Sequence, residues 1–159
     1  MKTLLPILVI VGLLVATVAM AAPADPLAGI RVHAGYVKPL DFDGSLVYGA
    51  DYIWKNALAT VNYFAPDDSE DNFWTLEGSY IWRPKTDLSW YYGAGLGVAI
   101  TTSSSESGLI WNGVVGKEFW MNGKDHGGVP YAEARYTLGS TSNLDDNIDG
   151  LRVTVGWRF

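Results

Sequence analysis

The sequence predicts an all-β fold: an eight-stranded antiparallel up-and-down transmembrane β-barrel preceded by a cleavable signal peptide. Three observations carry that expectation. Eight runs alternate with period two, each close to the roughly 9 to 11 residues a tilted strand needs to cross a bilayer. The composition is aromatic-rich and charge-poor, with 13% aromatic residues, 18 glycines and 18% charged residues, against roughly 25% charged in an ordinary globular chain. The N-terminus has the layout of a secretory leader.

In that leader Lys2 is the positive end, Leu4 to Val18 the apolar stretch, and Ala19-Met20-Ala21 the small-residue site, with cleavage expected after Ala21. A single transmembrane anchor is the rival, because the stretch approaches the roughly 17 to 25 residues that span. The small-residue site followed by Pro23 and Pro26 favours processing. The expected organisation is a signal peptide at 1–21 and one outer-membrane barrel domain at 22–159. There is no cysteine, hence no disulfide framework and no thiolate metal site. Once Lys2 is removed, 10 of the 11 basic residues face 17 acidic ones, a balance that disfavours phosphate-backbone binding and sets nucleic acid aside.

The first run, Gly29 to Lys38, sets Ile30, Val32, Ala34 and Tyr36 against Arg31, His33, Gly35 and Val37. The second, Ser45 to Trp54, sets Leu46, Tyr48, Ala50, Tyr52 and Trp54 against Val47, Gly49, Asp51 and Ile53, and Lys55-Asn56 then suits a tight hairpin. The third, Ala57 to Ala65, is less clean, with Ala59, Val61 and Tyr63 opposite Thr60, Asn62 and Phe64. In the fourth, Trp74, Leu76, Gly78, Tyr80 and Trp82 oppose Thr75, Glu77, Ser79 and Arg83, with aromatics at both ends of the apolar face.

After Pro84 to Asp87 the fifth run sets Trp90, Tyr92, Ala94, Leu96, Val98 and Ile100 against Tyr91, Gly93, Gly95, Gly97 and Ala99. The sixth, Leu109 to Phe119, has Leu109, Trp111, Gly113, Val115 and Phe119 opposite Asn112, Val114, Gly116 and Glu118, with Lys117 the exception. The seventh, Pro130 to Gly139, sets Ala132, Ala134, Tyr136 and Leu138 against Tyr131, Glu133, Arg135 and Thr137. The eighth sets Leu151, Val153, Val155, Trp157 and Phe159 against Arg152, Thr154, Gly156 and Arg158. An even number of strands returns the chain to the side on which it began.

A soluble lipocalin-like barrel has the same strand number and also carries a signal peptide. Volume separates the two. A lumen of eight strands is just filled by side chains, which suits the face holding Gly35, Gly49, Gly93, Gly95, Gly97 and Gly116. The opposite face carries Trp54, Trp74, Trp82, Trp90, Trp111 and Trp157, expected to point outward at headgroup level. The inner face then collects both charge signs, and Arg31, Asp51, Glu77, Glu133, Arg135 and Arg152 are expected to form an interior polar network. Glu118 and Arg158 lie on the same face.

Connections alternate between longer acidic ones and mostly short ones. Lys38 to Gly44, Pro66 to Asn72, Thr101 to Ser107 and Ser140 to Gly150 hold Asp41, Asp43, Asp67, Asp68, Glu70, Asp71, Glu106, Asp145, Asp146 and Asp149. Lys55-Asn56 and Pro84 to Asp87 are short, and Met121 to Gly128 is longer. Long loops outside and short turns in the periplasm place both mature termini in the periplasm.

The stretches WYYGAGLGVAI and LRVTVGWRF give the chain a resemblance to the small outer-membrane β-barrel superfamily that includes the OmpA transmembrane domain, OmpX and the opacity-type surface proteins. That resemblance implies a C-terminal signal read by the barrel-assembly machinery, carried by Trp157 and Phe159, with Thr154 standing where the family often has glycine. It also implies an outer membrane of a Gram-negative cell, and lipid and lipopolysaccharide as neighbours.

Some barrels of this size remodel lipid A. A deacylase of this kind would need a His-x-Ser arrangement with a nearby Glu. His33 is followed by Ala34 and Gly35, and His126 by Gly127 and Gly128. The expectation is therefore no enzyme, no catalytic residues, no cofactor and no metal. The leading role is structural or surface-interacting through acidic loops, with a small pore or porin-like transporter as the alternative.

Overall fold

The computed structural model describes residues 28–39, 44–66, 72–102, 107–120, 128–140 and 149–159. The expected signal peptide and cleavage site, His126, and every acidic loop residue named above except Asp149 lie outside the described residues.

Period-two alternation folds as expected into strands: β1 (Gly29–Pro39), β2 (Ser45–Trp54), β3 (Ala57–Pro66), β4 (Phe73–Trp82), β5 (Trp90–Thr101), β6 (Ser107–Glu118), β7 (Val129–Ser140) and β8 (Gly150–Arg158). Each pairs antiparallel with its sequence neighbour, and β1 pairs β8, so the sheet closes and leaves no edge. Among the described residues there is no helix.

Several boundaries differ from the sequence reading. β6 begins at Ser107 rather than Leu109 and ends at Glu118 rather than Phe119, while β1, β3 and β7 gain Pro39, Pro66, Val129 and Ser140. Pairing, rather than apolar alternation, sets where a strand ends: Ser107 is held opposite Ile100, and Pro39 opposite Gly150. β8 ends at Arg158, yet the Phe159 N–H still donates to the Ile30 carbonyl at 2.8 Å.

Glycines on β5 lie close against the β4 backbone. A Cβ at Gly97 would meet the Leu76 carbonyl oxygen on β4, and one at Gly95 would meet that of Gly78. Glycine there permits the curvature that a small closed barrel requires.

The lumen is layered. Next to the short turns Ile53, Leu58, Ile81, Tyr91 and Val114 form one apolar cluster. Next to the long connections Val37, Val47 and Phe64 form another, on which Phe73 stacks at 4.3 Å from the Phe64 ring. The sequence reading put most of these residues on the inner face but did not expect them to gather into two apolar layers.

The hairpin between β2 and β3 turns at Lys55-Asn56 as expected, with Lys55 at φ 53°. A non-glycine residue there carries left-handed strain. Lys55→Gly should stay within about 0.5 kcal/mol of the parent, strain relief offsetting chain entropy, whereas Lys55→Val should cost about 1–2 kcal/mol. Urea unfolding of the barrel in micelles reads both.

Asp87 organises the turn before β5. The Ser89 hydroxyl and backbone N–H donate to its Oδ1 at 2.5 and 3.0 Å, and the Asp87 carbonyl accepts from the Trp90 N–H. These bonds, hydroxyl first and backbone second, hold its carboxyl below the usual aspartate range. A folded pKa below the unfolded one contributes stability that is complete above about pH 3.9 and is lost as pH falls through the folded value. The stability difference between the parent and Asp87→Asn should therefore be constant near neutrality and narrow below about pH 4, read by unfolding at stepped pH.

Candidate functional site

Alternation turns one charged or polar residue of nearly every strand into the lumen, and the register sets which of them meet. Arg31 on β1 lies directly opposite Asp51 on β2, and Arg135 on β7 opposite Arg152 on β8. All six residues expected to form an interior network are buried, and they connect as one chain of contacts.

At one end of that chain Arg31 donates through Nε to Asp51 Oδ2 at 3.0 Å and through NH2 to Glu133 Oε2 at 2.9 Å. Glu133 Oε1 in turn accepts from Arg135 Nε and NH2 at 3.1 and 2.8 Å. Arg135 NH1 reaches Glu77 Oε2 at 2.6 Å, and Arg152 NH1 donates to Glu77 Oε1 at 3.1 Å. Three guanidinium groups thus alternate with three carboxylates, a charge match that a lumen closed to bulk water requires.

Neutral residues, including ones on the remaining strands β3, β5 and β6, complete the shell. Asn62 on β3, Asn112 on β6 and Thr75 on β4 all donate to Glu77, at 2.8, 3.0 and 2.8 Å. Tyr91 on β5 accepts from Arg31 NH1 at 2.6 Å and donates to Glu133 Oε2 at 2.8 Å. The network therefore touches all eight strands. Tyr131 adds its ring face, 4.1 Å from the Arg31 guanidinium carbon, and its hydroxyl donates to Asp51 Oδ2 at 3.1 Å.

The sequence reading placed Tyr91, Tyr131, Asn62, Asn112 and Thr75 on the inner face but left them out of the network. Strand parity carries that much; which tyrosine hydroxyl reaches which carboxylate depends on the stagger of β5 and β7 across the lumen.

His33 is also buried. Its Nε2 faces Asn62 Oδ1 at 2.8 Å, and its Nδ1 faces the Tyr131 hydroxyl at 3.1 Å and Asp51 Oδ2 at 3.3 Å. Because Asn62 Nδ2 must donate to Glu77, Asn62 Oδ1 is the acceptor and His33 Nε2 carries a proton. These neighbours fix the imidazole in place.

A second cluster sits at the short-turn mouth. Arg83 NH2 pairs with Glu118 Oε1 at 3.0 Å, and Arg158 Nε approaches the same oxygen at 3.5 Å. Among the described residues no group of three or more His, Asp or Glu is placed to hold a metal ion.

Outside, the tryptophans do not all take the positions expected of them. Trp54, Trp82 and Trp90 stand exposed at the short-turn ends of their strands, joined by Trp120, which the sequence reading omitted. Trp111 instead lies within β6 opposite Leu96 and Leu138, away from either strand end, because the register of three strands places it there.

Arg135→Met leaves Glu77 and Glu133 short of a partner in a buried site and should cost about 3–5 kcal/mol of stability. The double variant Arg135→Met with Glu77→Met removes one charge of each sign and should lose less than the sum of the two single variants. A double-mutant cycle from urea unfolding measures the difference.

No family model matches the chain, and no curated protein matches it. Among solved structures it is similar to the solution NMR structure of the de novo designed TMB2.3, with a TM-score of 0.56 at 15% sequence identity, covering 86% of this chain and 98% of that one. The likeness is one of fold, and with the closed register of β1 through β8 it makes this chain an eight-stranded antiparallel up-and-down β-barrel.

Proposed function

We propose that the chain spans the outer membrane of a Gram-negative cell as an anchoring barrel with a filled lumen, presenting its acidic long connections outside and both mature termini to the periplasm. The observation that carries this reading is the inverted polarity of the wall. Leu96, Val153 and Val155 are 54%, 51% and 64% exposed, while Arg31, Arg135 and Arg152 are 0%, 1% and 2% exposed.

Large apolar residues stand exposed on every strand but β3, on which the smaller Ala57 and Ala59 face outward. A water-soluble barrel would present the opposite arrangement, since monomers in water rarely expose large contiguous apolar patches. Lipid is the solvent such a surface suits. The aromatic-x-Phe ending at Trp157 and Phe159 and the resemblance to the small outer-membrane barrels support the same reading.

The role assigned is structural or surface-interacting, with no catalytic step. Density of side chains across the lumen argues for a plug over an aqueous path, which belongs to much wider barrels. Protein extracted from outer membranes should migrate faster in detergent electrophoresis before boiling than after, and planar bilayers holding it should lack large steady openings. Recovery in the soluble envelope fraction would overturn the membrane reading, and steady conductance would replace the plug by a pore.

A further inference from the structure

The outward positions of the eight strands carry two charged residues among those described, Lys38 on β1 and Lys117 on β6, and no carboxylate. Lys117 stands opposite Trp90 on one side and Ala132 on the other, next to the last residue of β6 at the short-turn edge. It is half-buried, with its ammonium nitrogen 4.9 Å from the Trp90 ring centre and 5.9 Å from that of Phe119.

That packing holds a long, flexible side chain in one place. The aliphatic stem covers apolar surface while the ammonium reaches the edge of the band. The nearby carboxylate is Asp87, held ionised chiefly by the hydroxyl and backbone N–H of Ser89 on its Oδ1 and to a smaller degree by the Lys117 charge. The Trp90 ring is exposed beside it, and an indole offers a single N–H donor and no acceptor. A cation and an N–H donor at the rim of an apolar band match an acceptor-rich anion that has an apolar tail.

Charge along the barrel points the same way. Lys55 lies 4.9 Å over Trp54 at this same end. The acidic residues of the long connections belong by sequence to the other end.

We propose that Lys117, with Trp90 and Phe119, forms a headgroup site for the phosphate of an anionic phospholipid at the short-turn edge of the barrel. The site rests on the membrane-spanning reading above. The ammonium pairs with a phosphate oxygen, the Trp90 N–H donates to a second one, and the acyl chains lie along the outward faces of β5 and β6. Neither partner is covalently changed.

The test uses the full mature chain, folded and held in micelles containing equal amounts of phosphatidylglycerol and phosphatidylcholine, with retained lipids counted by native mass spectrometry. The parent should prefer phosphatidylglycerol by about five-fold, the value of one cation near an anionic surface. Lys117→Gln should bring the preference close to parity, Trp90→Phe should lower it in part, and Lys117→Arg and Lys38→Gln should leave it in place. An unchanged preference in Lys117→Gln, or an equal loss in Lys38→Gln, overturns the site, the second result marking attraction to net charge alone. Flotation with phospholipid vesicles separates the two readings. A parent barrel that floats while Lys117→Gln keeps its preference overturns the headgroup site only, and a parent barrel that does not float overturns both.

Discussion

Closure of β1 on β8 is the constraint on which the rest of the molecule depends. An open sheet of eight strands has two equivalent faces and two unpaired edges, whereas a closed one has an inside and an outside that cannot exchange. Once closed, period-two alternation commits every strand at the same time, because a slip of one residue would send a whole strand's inner set outward. Nine register pairs between β1 and β8, from Arg31 opposite Arg158 to Pro39 opposite Gly150, hold that seam.

The lumen answers closure with volume and charge. Gly93, Gly95 and Gly97 leave the inner face of β5 without side chains over much of its length, and the lumen is filled by long residues such as Arg31, Arg135, Tyr91 and Tyr131. Those arginines are stable inside because each has two carboxylates: Arg31 has Asp51 on the adjacent strand and Glu133 on β7, and Arg135 has Glu133 on its own strand and Glu77 across the lumen on β4. The apolar layers of Ile53, Leu58 and Ile81 at one end and Val37, Val47 and Phe64 at the other flank this buried polar belt. A belt buried in this way has stronger electrostatics than a solvated one, so each member depends on the others.

The outer surface has two dissimilar ends. Indole rings and cations gather beside the short turns, with Lys55 on Trp54 and Lys117 on Trp90. By sequence the acidic long connections join the opposite ends of the strands. An amphipathic ring beside a cation suits a headgroup region, and repeated carboxylates suit bulk water. In the proposed orientation the same asymmetry would resist insertion upside down.

Much of this was legible in the residues themselves. Eight strands, the inward side of each and the six charged members of the interior network follow from alternation, because a side-chain period of two is a local property of the extended backbone. The Lys55-Asn56 hairpin was legible for the same local reason, through the shortness of the link. Other features required the closed structure: the bonding of Tyr91 and Tyr131 to the carboxylates, the position of Trp111 within the wall, the gathering of inner apolar residues into two layers, and the packing of Lys117 against Trp90. Each depends on stagger between strands or on distance across the lumen, and neither quantity exists until the eighth strand has met the first. Alternation determined which way each side chain faces, and closure decided which side chains meet.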